Sequence, residues 1–401
     1  MAHAIAKRAG VVGPVAAEST PDHFLERAGL VAFCGVAAAL QFSIAAAQIL
    51  LAVAVVCWFA LIVTGRERFQ APRFFWALAA YGAATLVSAA FSPQPLVSLV
   101  DCKQLVLFLI VPLTCTFITR SRTQTLVMLV LTFAAASAIV GIVQYGILHY
   151  DNLGQRVQGT LGHYMTYSGL LMLVIGVALA RVLFGRGERM WAALVMPALA
   201  VAVALTFTRS ASVGACAAAA VLLTLKDFRL LAALPIALAL FIAVAPSKVN
   251  ARFASIFDLN NPTNRDRLAM LREGRHMIAA HPLVGVGPNM VERLYAEYRD
   301  PDAVEKVNPH LHNVPVQIAA ERGLPALAIW LWFVALLTVD LAKLYREDSD
   351  RSLAAAGLSA VVAMLAAGMF EHTFGNSEFL MLFLIVVTTP FAAARAVRRW
   401  P

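Results

Sequence analysis

Runs of about twenty apolar residues recur along this chain, separated by short polar or charged turns, and this repeat constrains the fold more than any other feature. Hydrocarbon offers the backbone no water, so each run must satisfy its own amide and carbonyl groups, which a helix does and an isolated strand does not. The strict alternation of a membrane barrel is absent from the runs. Composition agrees: of 401 residues, 60% are hydrophobic and 14% charged, and the mean hydropathy of +0.75 lies outside the range of soluble globular domains. The expected fold is all-α and polytopic, with about twelve transmembrane helices near 26–42, 43–63, 74–91, 101–119, 123–148, 163–184, 190–206, 210–225, 229–246, 312–342, 352–371 and 378–396.

Basic residues set the orientation. With a cytoplasmic N-terminus, the inside segments collect Lys7, Arg8, Arg27, Arg66, Arg68, Arg73, Arg120, Arg122, Arg181, Arg186, Arg189, Lys226, Arg229, Lys343, Arg346, Arg351, Arg395, Arg398 and Arg399, while the short outside loops hold only Lys103, Arg156 and Arg209. Both termini are therefore expected inside. The net charge of +9 is spread between spans rather than over a soluble face, so nucleic acid is not expected as a partner. Five single cysteines (Cys34, Cys57, Cys102, Cys115, Cys216) have no disulfide or zinc spacing. The apolar stretch that follows Lys7, Arg8 and Arg27 continues to Val63, longer than the core of a cleavable signal peptide, and is expected to be retained. The expected division is a cytoplasmic tail (1–28), nine spans (29–246), an outside helical loop (247–311), three spans (312–396) and a second cytoplasmic tail (397–401).

The outside loop is too short for an independent domain with a deep core. Pro262, Thr263 and Asn264 offer a helix start before an amphipathic stretch from Arg265 to Ala280, ended by His281-Pro282. A second helix is expected from Pro288 to Tyr298, stopped by Asp300-Pro301-Asp302, so that a helical hairpin covers the membrane mouth.

This side concentrates Arg209, Arg265, Arg267, Arg272, Arg275, His276, His281, His310 and His312, against the bias that favours basic residues inside. An anionic substrate would account for them, because the guanidinium fork donates paired hydrogen bonds to phosphate and stays charged. Arg209 lies in a polar break, Thr206 to Ser210, at a membrane boundary, where a snorkelling anchor is the competing reading. Arg265, Arg272 and His276 share a helix face, with Arg267 and Arg275 on a neighbouring stripe; a solvated basic face competes here. His310-Leu311-His312-Asn313-Val314-Pro315 leads into an apolar helix, with Pro315 suited to its first turn. The helix dipole and nearby Arg would favour a neutral His312 imidazole, able to take a proton, although a structural hydrogen-bonding role is the alternative. A metal held by His310 and His312 with His276 or His281 matches no specific zinc spacing. Gly285-Val286-Gly287 reads as a tight turn rather than a phosphate loop. Glu371, beside His372 at an outside turn, needs a partner, and one of the Arg residues is expected to supply it.

His312-Asn313 followed by Glu321-Arg322-Gly323 resembles the His-Asn, then Glu-x-Gly signature of the O-antigen ligase and polymerase superfamily. Arg267 to Gly287, ending His281-Pro282-Leu283-Val284-Gly285-Val286-Gly287, is similar to that family's loop segment. Gly159-Thr160-Leu161-Gly162-His163, Thr206 to Ser210, and Phe370 to Glu378 resemble further blocks, so the likeness spans roughly 150 to 380. Ala326, where a small Gly is common, and Leu271, where an aromatic is, depart from the pattern without removing a reactive group.

The resemblance implies metal- and cofactor-independent transfer of a glycan from undecaprenyl pyrophosphate to a hydroxyl of the lipid A core oligosaccharide, at the periplasmic face of a Gram-negative inner membrane, among membrane lipids. His312 would be the general base, and Arg209 with Arg265 or Arg267 would bind the pyrophosphate. Arg272, His310, Asn313, Glu371 and His163 would support them. A polymerase would use the same donor with a second lipid-linked glycan as acceptor. A lipid-linked glycan transporter would also need many spans and a basic groove, but repeated halves with broken midplane helices are not evident.

Overall fold

In the computed structural model the protein is described over residues 22–395, apart from 188, 256, 257, 259, 260 and 349. The expected cytoplasmic tail ends, with Lys7, Arg8, Arg398 and Arg399, lie outside these residues. The helices in chain order are α1 (Asp22–Ala39), α2 (Ile44–Val63), α3 (Arg73–Ala90), α4 (Pro95–Asp101), α5 (Ile110–Phe117), α6 (Thr123–Gly146), α7 (Tyr164–Phe184), α8 (Arg189–Leu205), α9 (Arg209–Lys226), α10 (Ala233–Val244), α11 (Ser247–Ala254), α12 (Pro262–Ala280), α13 (Val291–Tyr298), α14 (Val314–Glu347), α15 (Arg351–Gly368) and α16 (Ser377–Arg395). Among the described residues the only strand-like pairing is one bridge between Asp151 and Arg156.

Every expected apolar run is helical, but length and composition support eight crossings among the described residues rather than twelve. These are α2, the continuous stretch Pro95–Phe117 that includes α4 and α5, α6, α7, α9, α14, α15 and α16. The other four expected spans fall on shorter or more polar helices: α8 has 17 residues, α10 has 12, α3 has 18 and opens with Arg73, and α1 opens with Asp22, Glu26 and Arg27. Helices α7, α15 and α16 are the most enclosed. Lipid tails are as apolar as Leu, so helices associate here by close packing of small residues. A Cβ added at Gly214 would stand 2.2 Å from Met172 Sδ, and one at Gly176 would stand 2.6 Å from Ser359 Oγ.

The two ends of the bundle differ in chemistry. At one end, cations are matched by acids: Arg120 to Asp348 (3.1 Å), Arg122 to Glu26 (3.0 Å) and Arg181 to Asp350 (3.2 Å). Helix α7 joins this end to the other; its 21 residues span about 31 Å at 1.5 Å per residue. The far end carries α11, α12 and α13; α12 and α13 cover a small separate core of Met270, Met277, Val286, Met290, Val291, Leu311 and Ala320. Helix α12 starts with Pro262 behind the Asn261 cap and ends at His281, as its sequence predicts. Helix α13 starts at Val291 rather than Pro288, because Asn289 turns the chain with φ 60°.

A clasp fixes this covering layer to the bundle. Helix α14 breaks at Gly323 (φ 82°, ψ 167°), ahead of Pro325, and the freed backbone pairs with 281–287: Val286 N–H donates to Ala320 O (2.9 Å), Gly287 N–H to Glu321 O (2.8 Å) and Leu324 N–H to Pro282 O (2.8 Å). The Glu321 carboxylate accepts from Asn289 N–H (3.0 Å) and from Arg322. The two segments that carry most of the family likeness thus interlock. Gly285 has φ +67°, and a Cβ there would lie 2.2 Å from the Glu321 carbonyl carbon. Gly285→Ala is expected to cost about 2–4 kcal/mol, read as a lower unfolding midpoint in detergent; an unchanged midpoint would show that the clasp does not hold the layer down.

Candidate active site

Two helix starts bring the reactive groups together. Before α9, Phe207 takes φ 56°, and before α14, His312 takes φ 47°; both are left-handed conformations uncommon for bulky residues. Each reverses the chain two residues ahead of its helix and leaves Arg209 and His312 at the same end of the bundle. Asn313 is a cap: its Oδ1 accepts from Val316 N–H (3.0 Å) and its Nδ2 donates to Met369 O (3.0 Å), which ties α14 to the turn after α15.

Glu371 organises the histidines. Its Oε1 accepts from His312 Nδ1 (2.9 Å), His372 N–H (3.0 Å) and His310 Nε2 (3.4 Å), and the residue is only 7% exposed. Burial by itself would raise the Glu371 carboxyl, but hydrogen bonds from His310 and His312, with their charge, hold it well below the usual carboxylate range. An ionised carboxylate only accepts, so Nδ1 of His312 is the donor, and in the neutral imidazole Nε2 is then the acceptor. The expected Arg partner of Glu371 is replaced by these histidines, which the chain delivers closer to the turn. His372 is half-buried, and desolvation followed by the charge of His310 and Arg322 pulls it well below its ordinary value, so it stays neutral outside the two cavities around His312.

Around His312 lie two adjoining cavities. One, of about 330 Å³, is polar and lined by Arg156, Tyr164, Arg209, Arg252, Asp266, Arg267, Asn308, His312 and Glu371 among others. The second, of about 220 Å³, is mainly apolar, with Val213, Leu268, Leu271, Leu311, Met369 and Phe370 in its wall. Arg209, Ser210, Arg267 and His312 line both and form the junction. Arg209 is 7% exposed, and its guanidinium donates to Ser255 O (3.0 Å) and Asn264 Oδ1 (2.9 Å), both neutral acceptors. Burial lowers Arg267 from its ordinary value, against the opposing pull of Glu371. Burial, Arg156 and Arg267 do the same to Arg252. Several guanidinium groups therefore share a partly dehydrated space without a carboxylate paired to any of them among the described residues, an arrangement that an anion would relieve.

The sequence-predicted residues divide sharply. Arg209, Arg267, His312 and Glu371 line the polar cavity, and His310 and Asn313 support it from behind. Arg265 is exposed and lines neither cavity. Arg272 is exposed too, and its fork is occupied by Asp300 (2.6 and 2.9 Å) and Asp302 (3.0 Å). His163 is exposed, lies against Thr166 (3.3 Å) and stacks on Tyr164, which does reach the cavity. Arg156 and Arg252 were not expected at the site. Their signal is the one that marked the others, basic residues on the disfavoured side, but neither sits in a distinctive motif.

A family model described as O-antigen ligase matches residues 193–331, which run from α8 through the first half of α14 and include Arg209, Arg267, His312 and the clasp. Over that stretch the chain is similar to the O-antigen ligase superfamily. No curated protein matches it. Arg156, Tyr164 and Glu371 lie outside the matched region, so the cavity wall is completed by the α6–α7 loop and the α15–α16 turn.

Facing atoms of His310, His312 and Glu371 all lie within 4.8 Å of one another, a set that could also hold a metal ion. The alternative use of the same atoms is the hydrogen-bonded array just described, in which the carboxylate oxygen already serves both rings. Chelation separates the two. We expect EDTA to leave transfer unchanged; activity lost to EDTA and restored by zinc would assign the cluster to a metal.

Proposed function

We propose that this chain is an O-antigen ligase, an inverting glycosyltransferase that moves the O-antigen glycan from undecaprenyl pyrophosphate to a hydroxyl of the lipid A core oligosaccharide at the periplasmic face of the inner membrane. The observation that carries this reading is the junction where His312, Arg209 and Arg267 meet, with a polar cavity on one side and an apolar one on the other. A lipid-linked sugar has that same order of parts: polyprenol, pyrophosphate, glycan. The basic-inside pattern supports the periplasmic placement of this end.

In the proposed reaction Arg209 and Arg267 hold the pyrophosphate and stabilise the charge that grows on it as the glycosidic bond breaks. His312 Nε2 accepts the proton of the acceptor hydroxyl while the oxygen attacks the anomeric carbon, and a single displacement inverts the configuration. Glu371 holds the imidazole in the required tautomer and offsets the positive charge it gains. Arg267 takes the place left open between Arg265 and Arg267, because only Arg267 reaches the junction.

Purified protein supplied with donor plus lipid A core, and with donor alone, tests the reading. Product on the core supports the ligase; chain extension with donor alone supports the polymerase. Glu371→Gln, whose amide oxygen can still accept from His312 Nδ1, is expected to keep more activity than Glu371→Ala, which should lose about 10- to 10³-fold. Equal activity of the two variants would remove the orienting role.

A further inference from the structure

The polar cavity holds more positive charge than a lipid-linked donor brings negative charge. A glycan joined to a polyprenol through pyrophosphate is a diester with one ionised oxygen on each phosphorus. Arg209 and Arg267, at the junction of the two cavities, match that charge. Arg156 and Arg252 line the polar cavity only, on the side away from the apolar one.

Neither has a carboxylate partner among the described residues. Arg252 Nε donates to Phe207 O at a long 3.4 Å, while Arg156 Nε donates to Leu153 O (3.1 Å) and its guanidinium stacks 4.2 Å over the Tyr164 ring. The acids of the cavity do not answer them. Asp266 accepts from Val304 N–H, Glu305 N–H and Asn308 Nδ2, Glu371 serves the histidines, and Glu305 is exposed. Arg272 shows what an ordinary structural arginine does on this face, since both arms of its fork close on Asp300. The two cavity arginines are also held together: Asp151, in the loop of Arg156, bonds Lys248, one turn from Arg252 on α11, at 2.5 Å.

We propose that Arg156 and Arg252 form a second anion subsite, which binds a phosphate or carboxylate carried by the acceptor glycan and so fixes the acceptor hydroxyl before His312. This rests on the transfer reaction proposed above. Displacement at the anomeric carbon requires the acceptor to approach opposite the departing pyrophosphate, and the polar cavity beyond Arg209 and Arg267 is the space on that side.

The test measures binding of a phosphorylated core oligosaccharide, freed of lipid, to the full chain in nanodiscs without donor, for wild type and for Arg156→Gln with Arg252→Gln. Phosphatase treatment of the glycan removes its phosphates, and carbodiimide amidation neutralises its carboxylates, so the two treatments distinguish the sources of charge. Wild type should bind the intact glycan about tenfold or more tighter than one of the treated forms, and the double variant should bind all forms alike. Arg252→Lys should retain part of the preference, which separates lost charge from lost folding. The proposal falls if the double variant keeps the preference, if wild type has none, or if the double variant loses donor affinity instead. Transfer is assayed alongside. Preference that depends on the arginines without any transfer would refute the reaction alone; transfer without that preference would refute the subsite alone.

Discussion

Replacing His312 with alanine is expected to lower glycan transfer by about 10²- to 10⁴-fold, the usual worth of a positioned general base, while the protein still inserts and folds. Among the described residues the His312 side chain bonds Glu371 and rests against the His310 ring (4.5 Å between centroids), facing the cavity rather than the core of the bundle. His310 stays on the carboxylate and limits the cost of leaving Glu371 buried. Transfer is measured in membranes at matched protein levels, with retention on size-exclusion chromatography as the folding control. Full transfer by a well-folded His312→Ala protein would remove the base from the mechanism. Hydroxyl attack without a base is the alternative that result would leave.

The second large effect concerns the arginines and comes with an internal contrast. Arg209→Ala and Arg267→Ala should each lose about 10²- to 10³-fold in transfer, because each removes a donor aimed at the charge of the leaving group. Arg265→Ala, two residues away on the same helix, should stay within about threefold of wild type, as expected for an exposed side chain outside both cavities. Donor titration with each variant reads the contrast directly. Equal losses at 265 and 267 would mean that α12 meets the donor with a different face.

The contrast also shows where the sequence stopped short. A helix turns about 100° per residue, so Arg265 and Arg267 lie about 200° apart. Only the choice of which stripe packs inward decides between them. That choice is made by Asp266, Ala269, Met270, Glu273 and Met277, which are buried, and by Asp266 accepting from the backbone of Val304 and Glu305 and from the Asn308 side chain. Nothing local in the sequence distinguishes this stripe. The helices themselves were legible, because apolar runs in hydrocarbon have few alternatives, and helix starts at Pro262 and Pro315 are local chemistry.

Contacts far apart in sequence were not legible. Glu371 meets His312 across 59 positions, and Gly285 meets Glu321 across a pairing that exists only because α14 breaks at Gly323. The glycines of 285–287 were read as a tight turn, and the turn is there. Its purpose, to let backbone press against backbone, appears only when both segments are in place. Arg156 and Arg252 escaped notice for the same reason: each is unremarkable alone, and the cavity is what relates them.

In the proposed complex one pyrophosphate sits between Arg209 and Arg267 with His312 on its glycan side. A donor-bound structure of the full chain tests it most directly. Both guanidinium groups should lie within hydrogen-bonding distance of phosphate oxygens, with the polyprenyl chain in the apolar cavity and His312 Nε2 facing the anomeric carbon across a space fit for a hydroxyl. Phosphate density on the outer face, beside Arg265 and Arg272, with the junction left to solvent, would contradict it.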